Sequence, residues 1–139
     1  MNKKTRPIAP QAPDPVLIGE SVRLLRQGGM LVLPTRHLYG LGVDALNPRA
    51  VARVFAAKQR SARRPLLILV SSRAVLRRYA VGLDDRAEAL MDTFWPGKLT
   101  IVLRAGPGLP SALTGGSGRI GIRVPEHPVC RALVKELGR

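Results

Sequence analysis

Four short strand-like runs, separated by segments with helical spacing, constrain the fold more than any other feature of the chain. Met30–Leu33 stops at Pro34, Leu66–Val70 and Leu99–Leu103 are near-continuously apolar, and Arg119–Val124 stops at Pro125. Runs of this length fit buried strands. Between them lie helix signals. Asp14 precedes Pro15, a cap followed by a first-turn proline, and Ile18, Val22 and Leu25 recur on one face before Gly28-Gly29 ends the pattern. Asn47-Pro48 opens a second helix with Val51, Val54 and Phe55 inward. Ser71 or Ser72 caps a short helix to about Arg78, and Asp84 or Asp85 opens another running to Phe94. Pro128 stands near the start of a last helix that ends at Gly138. This alternation predicts a single α/β domain: a twisted, open, mixed sheet with flanking helices. The segment from Thr35 through Gly42 reads as a loop, with Tyr39 and Leu41 packing into the core. Trp95-Pro96-Gly97 reads as a helix stop in which glycine supplies a positive φ, and His127-Pro128 as a helix entrance.

The chain of 139 residues suffices for one hydrophobic core. Residues 1–13, with Pro7, Pro10 and Pro13, read as a flexible Pro-rich tail, and 14–139 as the domain. No apolar run is long enough to span a membrane, and no apolar stretch follows Lys3, Lys4 and Arg6, so neither a membrane partner nor a secretory signal is expected. After Gly138 the alternation calls for another strand, so the sequence reads as truncated at its C-terminus. Cys130 is the single cysteine, which excludes an internal disulfide. His127 and Cys130 have no further soft ligand beside them in the pattern, and no metal site is assigned.

Charge narrows the function. Lys and Arg number 23 against nine Asp and Glu, a net charge of +14. From Ala45 to Leu83 there is no acid, while Arg49, Arg53, Lys58, Arg60, Arg63, Arg64, Arg73, Arg77 and Arg78 all fall there. Such clustering points to an anionic partner. The helix arginines Arg49, Arg53, Arg73, Arg77 and Arg78 read as solvated faces. Lys58, Arg60, Arg63 and Arg64 instead sit on a turn between a helix and a buried strand, where a triphosphate would be well held. Aromatic content of 4% leaves little for base stacking. Gly40-Leu41-Gly42-Val43-Asp44-Ala45 imitates a dinucleotide-binding turn but lacks the downstream acid, and Gly97-Lys98 is followed by Leu99 where a P-loop needs Ser or Thr. No serine triad or paired-carboxylate arrangement is visible, so no catalytic side chain is assigned.

Four segments in order carry a resemblance. They are Pro34-Thr35-Arg36-His37-Leu38-Tyr39-Gly40-Leu41-Gly42, Lys58-Gln59-Arg60 before Arg63-Arg64-Pro65-Leu66, Trp95-Pro96-Gly97-Lys98-Leu99-Thr100, and Ile120-Gly121-Ile122-Arg123-Val124-Pro125-Glu126-His127-Pro128. Together they resemble the YrdC-like family, the threonylcarbamoyl-AMP synthases, over about residues 15–139. The resemblance implies a cytosolic (cytoplasmic) enzyme of tRNA modification with a twisted α/β sheet and a positively charged concave face. It implies condensation of L-threonine, bicarbonate and ATP, with Mg2+, to threonylcarbamoyl-adenylate and pyrophosphate. A tRNA threonylcarbamoyl-transfer complex would be the downstream partner, and some members bind double-stranded RNA. On the same resemblance Lys58, Arg60 and Arg64 bind ATP, and Thr35, His37 and Arg123 bind threonine. The sequence departs from the family pattern at Arg36, His37 and Arg119, and it lacks the family's C-terminal Ser-x-Ser-Ala-Asn segment. Two other readings stand beside the synthase: a non-catalytic remnant binding double-stranded RNA or nucleotide, and a carbamoyl-transfer module of the hydrogenase-maturation type, which the short Pro-rich start disfavours.

Making a mixed carbamic–phosphoric anhydride needs two anions brought together and the charge of the departing pyrophosphate neutralised. Arginines, a lysine and magnesium meet that need without a protein nucleophile.

Overall fold

The computed structural model describes residues 4–36 and 38–139. Each predicted helix forms, and the caps explain where each begins. In α1 (Pro15–Arg26) the Asp14 carboxylate accepts the Val16 N–H at 2.8 Å, and Ile18, Val22 and Leu25 are buried as the spacing predicts. In α2 (Pro48–Ala57) the Asn47 side chain accepts the N–H groups of Arg49 and Ala50, both at 3.1 Å. Ser72, rather than Ser71, caps the short α3 (Arg73–Leu76), and Asp84, rather than Asp85, caps α4 (Asp85–Phe94). His127 Nδ1 accepts the Val129 N–H at 3.3 Å to start α5 (Pro128–Leu137), so this histidine serves as the expected helix entrance. These side-chain acceptors satisfy N–H groups that a helix's first turn otherwise leaves unpaired.

The strands depart more from expectation. β1 (Leu31–Pro34) pairs antiparallel with β2 (Tyr39–Gly42), so the expected loop to Gly42 is half strand. Gly40 and Gly42 stand opposite Leu33 and Leu31. A Cβ on Gly42 would lie 2.6 Å from Leu33 Cδ2, so the glycine that reads as a turn signal makes room for a leucine. Tyr39 is not in the core; it is 77% exposed, and Leu41 is half-buried. β3 spans only Ile68–Leu69, shorter than the apolar run. With β4 (Ala80–Val81), β5 (Ile101–Ala105) and β6 (Arg119–Arg123) it forms a sheet ordered β3-β6-β5-β4. β6 runs parallel to β3 and antiparallel to β5, so the sheet is mixed as predicted. β4 and a 3-10 turn at Ser111–Thr114 lack the apolar length to announce themselves.

Trp95-Pro96-Gly97 does stop α4, with a cis Trp95–Pro96 bond, but Gly97 is not a positive-φ residue. Close approach explains it: a Cβ there would lie 2.2 Å from the Phe94 carbonyl oxygen, and the Gly97 N–H donates to Val124 O at 2.9 Å.

Two apolar clusters organise the chain. Beneath the four-stranded sheet, Val51 of α2, Leu76 of α3 and Met91 of α4 pack with Ile68, Ile120 and Ile122. The other joins α1 and α5 through Ile18, Val22, Leu25, Val129, Leu133 and Leu137, with Leu31, Leu33 and Ile8 against them. Residues 4–14 form no helix or strand, though Ile8 is half-buried in that second cluster.

Asp44 stitches the chain near α5's end. It is 6% exposed, accepts from Arg139 at 3.3 and 3.1 Å and from the Leu46 N–H at 3.1 Å, while Arg139 O accepts the Ser71 N–H at 2.8 Å. The Asp44 hydrogen bond holds the Arg139 guanidinium above its ordinary pKa. Asp44→Ala leaves the Leu46 N–H and Arg139 without this acceptor and is expected to cost about 2 kcal/mol in urea denaturation.

Candidate functional site

The hairpin, α5 and the open face of the sheet enclose a cavity of about 660 Å3. Its walls are largely apolar, including Leu41, Leu67, Leu69 and Leu133. Thr35, Lys58, Arg60 and Arg123, from four separate segments of the sequence, all line it.

Local structure fixes each of them differently. Thr35 opens the turn between β1 and β2. Its N–H donates to Leu38 O at 3.0 Å, and its hydroxyl donates to the same carbonyl. His37 lies outside the described residues. Lys58 caps the C-terminal end of α2, donating its N–H to Val54 O at 3.0 Å. Gln59 then takes a φ of 47°, which folds the chain back so that the Arg60 N–H reaches Phe55 O at 3.0 Å. Arg60 is partly committed: Nε donates to Arg64 O at 3.2 Å and Nη2 to Pro65 O at 2.9 Å. Lys58 is exposed and forms no ion pair among the described residues. Arg64 stands apart from the cavity. With Lys58, Gln59, Arg60 and Ser61 it lines an adjoining depression of about 540 Å3.

Arg123 projects from β6. Its Nε and Nη2 donate to Thr100 Oγ1 at 3.0 and 2.8 Å. Sequence reasoning quoted the segment containing Thr100 without giving Thr100 this positioning role. That segment is itself anchored, because Trp95 Nε1 donates to Leu99 O at 2.7 Å. Arg119, Ser117 and Cys130 also line the cavity and were not foreseen there.

The remaining basic residues sort as their exposure suggests. Arg73 pairs with Glu88 and Asp92, Arg77 pairs with Glu88, and Arg53 donates to Gly28 O at 2.8 Å. These are solvent-facing contacts outside the cavity. Arg36, one of the departures from the family pattern, pairs with Glu126 at 2.7 Å and ties the hairpin turn to the segment before α5.

Cys130 is 2% exposed and its Sγ donates to Pro34 O at 3.2 Å. Burial pushes its thiol from 9.0 up to about 11, the opposite of a reactive thiolate. The folded state therefore favours the neutral thiol relative to the unfolded chain. Stability from this group is fully present below pH 9 and is lost as pH rises toward about 11. Denaturant titrations of the parent and Cys130→Ala across that window are expected to show a decline that the variant lacks.

The arrangement combines an apolar wall with cations, which suits an anionic ligand carrying an apolar part. Among the described residues no group of three or more His, Cys, Asp or Glu side chains is placed to hold a metal ion. No helix among them is long and apolar enough to cross a membrane.

Comparisons with known proteins bear on this arrangement. A family model described as telomere recombination, for Sua5, YciO and YrdC, matches residues 23–139. A threonylcarbamoyl-AMP synthase of Pyrococcus abyssi is 39% identical over 111 residues, covering 80% of this chain and 33% of the relative. One of Halorhodospira halophila is 35% identical over 129 residues, covering 93% of this chain and 68% of the relative. The crystal structure of P. abyssi Sua5 complexed with L-threonine superposes with a TM-score of 0.88 at 35% identity, covering 92% of this chain and 38% of that one. The chain thus spans about a third of the length of the Pyrococcus relative and about two thirds of the Halorhodospira one.

Proposed function

The chain belongs to the Sua5/YciO/YrdC family, and on that premise we propose that it acts as an L-threonylcarbamoyl-adenylate synthase, with ATP, L-threonine and bicarbonate as substrates. The observation that carries the reading is the convergence of Thr35, Lys58, Arg60 and Arg123 on one cavity from four distant segments. The names of the relatives, and the threonine held by the P. abyssi structure, support it.

In this reading Lys58 and Arg60 receive the ATP phosphates and Arg64 guides the nucleotide from the adjoining depression. Arg123, oriented by Thr100, grips the threonine carboxylate, and Thr35 and His37 stand at the threonine end. The threonine amine attacks the bicarbonate carbon and water leaves, giving a carbamate. A carbamate oxygen then attacks the α-phosphorus, and the bond to the β-phosphate breaks with its electron pair passing to pyrophosphate. Lys58 and Arg60 neutralise the charge that develops there. In this reading magnesium arrives on the ATP phosphates, as part of the substrate. The product would pass to a tRNA threonylcarbamoyl-transfer complex in the cytoplasm.

Radiolabelled bicarbonate tests the reading. With ATP, threonine and the folded chain, label is expected in an adenylate resolved by reversed-phase chromatography, and none when threonine is omitted. ATP binding with no labelled adenylate would replace the synthase by the second reading, nucleotide or double-stranded RNA binding without turnover. The basic turn from Lys58 to Arg64 is the feature that favours this alternative.

A further inference from the structure

Ile68 of β3 and Ile122 of β6 turn toward the helices and are 5% and 0% exposed. Strand alternation therefore sets the next residues, Leu69 and Arg123, on the open face, and the parallel register makes them direct neighbours. Leu69 is half-buried, and β3 is the edge strand of its sheet. On its other flank Arg123 meets Thr100, one residue beyond the Ile101–Ile122 pair. Its Nε and Nη2 both donate there, at 3.0 and 2.8 Å. The arginine head thus leans toward β5 and leaves its β3 flank to leucine.

Apolar surface continues from Leu69. Leu67 precedes it by two residues and is 49% exposed. A Cβ on Gly121 would lie 3.5 Å from Leu67 Cβ and 3.1 Å from Thr100 Cγ2, so the glycine keeps the floor between them low. Leu67, Leu69, Gly121 and Arg123 all line the cavity. Thr35 lines it too, but it is exposed and its hydroxyl already donates to Leu38 O. A hydroxyl satisfied in this way is not left unpaired when a ligand brings no hydroxyl of its own.

We propose that the amino-acid end of the cavity selects by aliphatic shape and not by a hydroxyl, so that it takes L-valine, the isostere of threonine, alongside threonine, with Leu69 setting the choice. The inference rests on the reading of Arg123 as the grip for the amino-acid carboxylate. The β-carbon of an amino acid lies two bonds from its carboxylate carbon, so its branches fall beside the guanidinium. Thr100 occupies one flank there and Leu69 the other. A hydroxyl pressed on leucine gives up water without a new partner, whereas a methyl group gains apolar contact. An apolar pocket separates such isosteres by about 100-fold at most, while one missing methyl group costs about 10-fold or more. Valine follows the same chemistry as threonine. Its amine nitrogen bonds to the bicarbonate carbon as water leaves, and a carbamate oxygen then displaces pyrophosphate, with the bond's electron pair, from the α-phosphorus of ATP.

Calorimetric titration of the full chain with L-threonine, L-valine and L-serine, without ATP, tests the selectivity apart from turnover. Valine is expected to bind at least as tightly as threonine, and about 10-fold or more tighter than serine, which keeps the hydroxyl and lacks the methyl group. Leu69→Ala is expected to cut valine affinity by about 10-fold and to move serine affinity by less than about 3-fold. Leu69→Met, of like volume, is expected to keep the order of the parent. Serine binding above valine, threonine binding without valine, or no binding of any of the three would overturn the proposal. So would Leu69→Ala affinities that are unchanged or that fall equally for all three. With ATP and labelled bicarbonate added, an adenylate formed from threonine and not from valine would overturn it too. Valine bound above serine, with no adenylate from either valine or threonine, supports the selectivity and removes the synthase reading instead.

Discussion

Replacing Lys58 and Arg60 together by alanine is expected to weaken ATP binding by about 100-fold or more, measured by calorimetric titration. Each cation would give charge-assisted hydrogen bonds to phosphate, and each such bond is worth about 1.5–3 kcal/mol. Two lost bonds therefore exceed the effect of removing ordinary surface charge, which is within about 1 kcal/mol. The residues separate experimentally. Lys58 is exposed and forms no ion pair among the described residues, so Lys58→Ala would remove the proposed ligand contact with little structural cost. Arg60 also braces its turn through Arg64 O and Pro65 O, so Arg60→Ala loosens the loop that presents Lys58. Arg60→Lys keeps the charge but loses the forked donors, and should bind ATP between the parent and Arg60→Ala. Unchanged affinity in the double variant would remove ATP from this turn.

Ile122→Ala is expected to destabilise the chain by about 4 kcal/mol, lowering Tm by about 10 °C. Ile122 is 0% exposed and sits in the strand with neighbours on both sides, opposite Ile68 of β3 and Ile101 of β5. Removing it leaves a cavity between three strands and beneath the residue that carries Arg123. Val102→Ala, on the opposite face and 58% exposed, is expected to stay within about 0.5 kcal/mol. A loss below about 1 kcal/mol for Ile122→Ala in urea denaturation would contradict the placement of the core under this sheet.

The helices were legible because their signals are local. A cap such as Asp14, Asn47 or Asp84 acts on N–H groups two or three residues away, and the inward spacing of Ile18, Val22 and Leu25 is read along one short segment. β2 was not legible, because Gly42 makes room for Leu33, and Gly40 for Thr35, across the hairpin rather than answering to their own neighbours. Gly97 likewise serves an approach to the Phe94 carbonyl that no propensity encodes. In the site, the cations of the Lys58–Arg64 turn stood out against an acid-free background. The motif order then drew in Arg123 and Thr35, which line the same cavity as Lys58 and Arg60. Arg64 was named with them, yet it lines the adjoining depression and not the cavity. The Thr100 contact to Arg123 spans 23 residues and depends on the pairing of two strands, a relation that residue types alone do not disclose. Leu69 and Arg123 likewise become neighbours only through the register of β3 with β6.

As proposed above, this cavity joins threonine, bicarbonate and ATP. Pyrophosphate release from ATP by the 139-residue chain, with and without threonine plus bicarbonate, tests it most directly. Circular dichroism on the same sample establishes that the chain is folded. Release is expected to depend on threonine and to fall to background in the Lys58→Ala, Arg60→Ala variant. A folded chain that binds ATP yet releases no pyrophosphate, or releases it regardless of threonine, would contradict it.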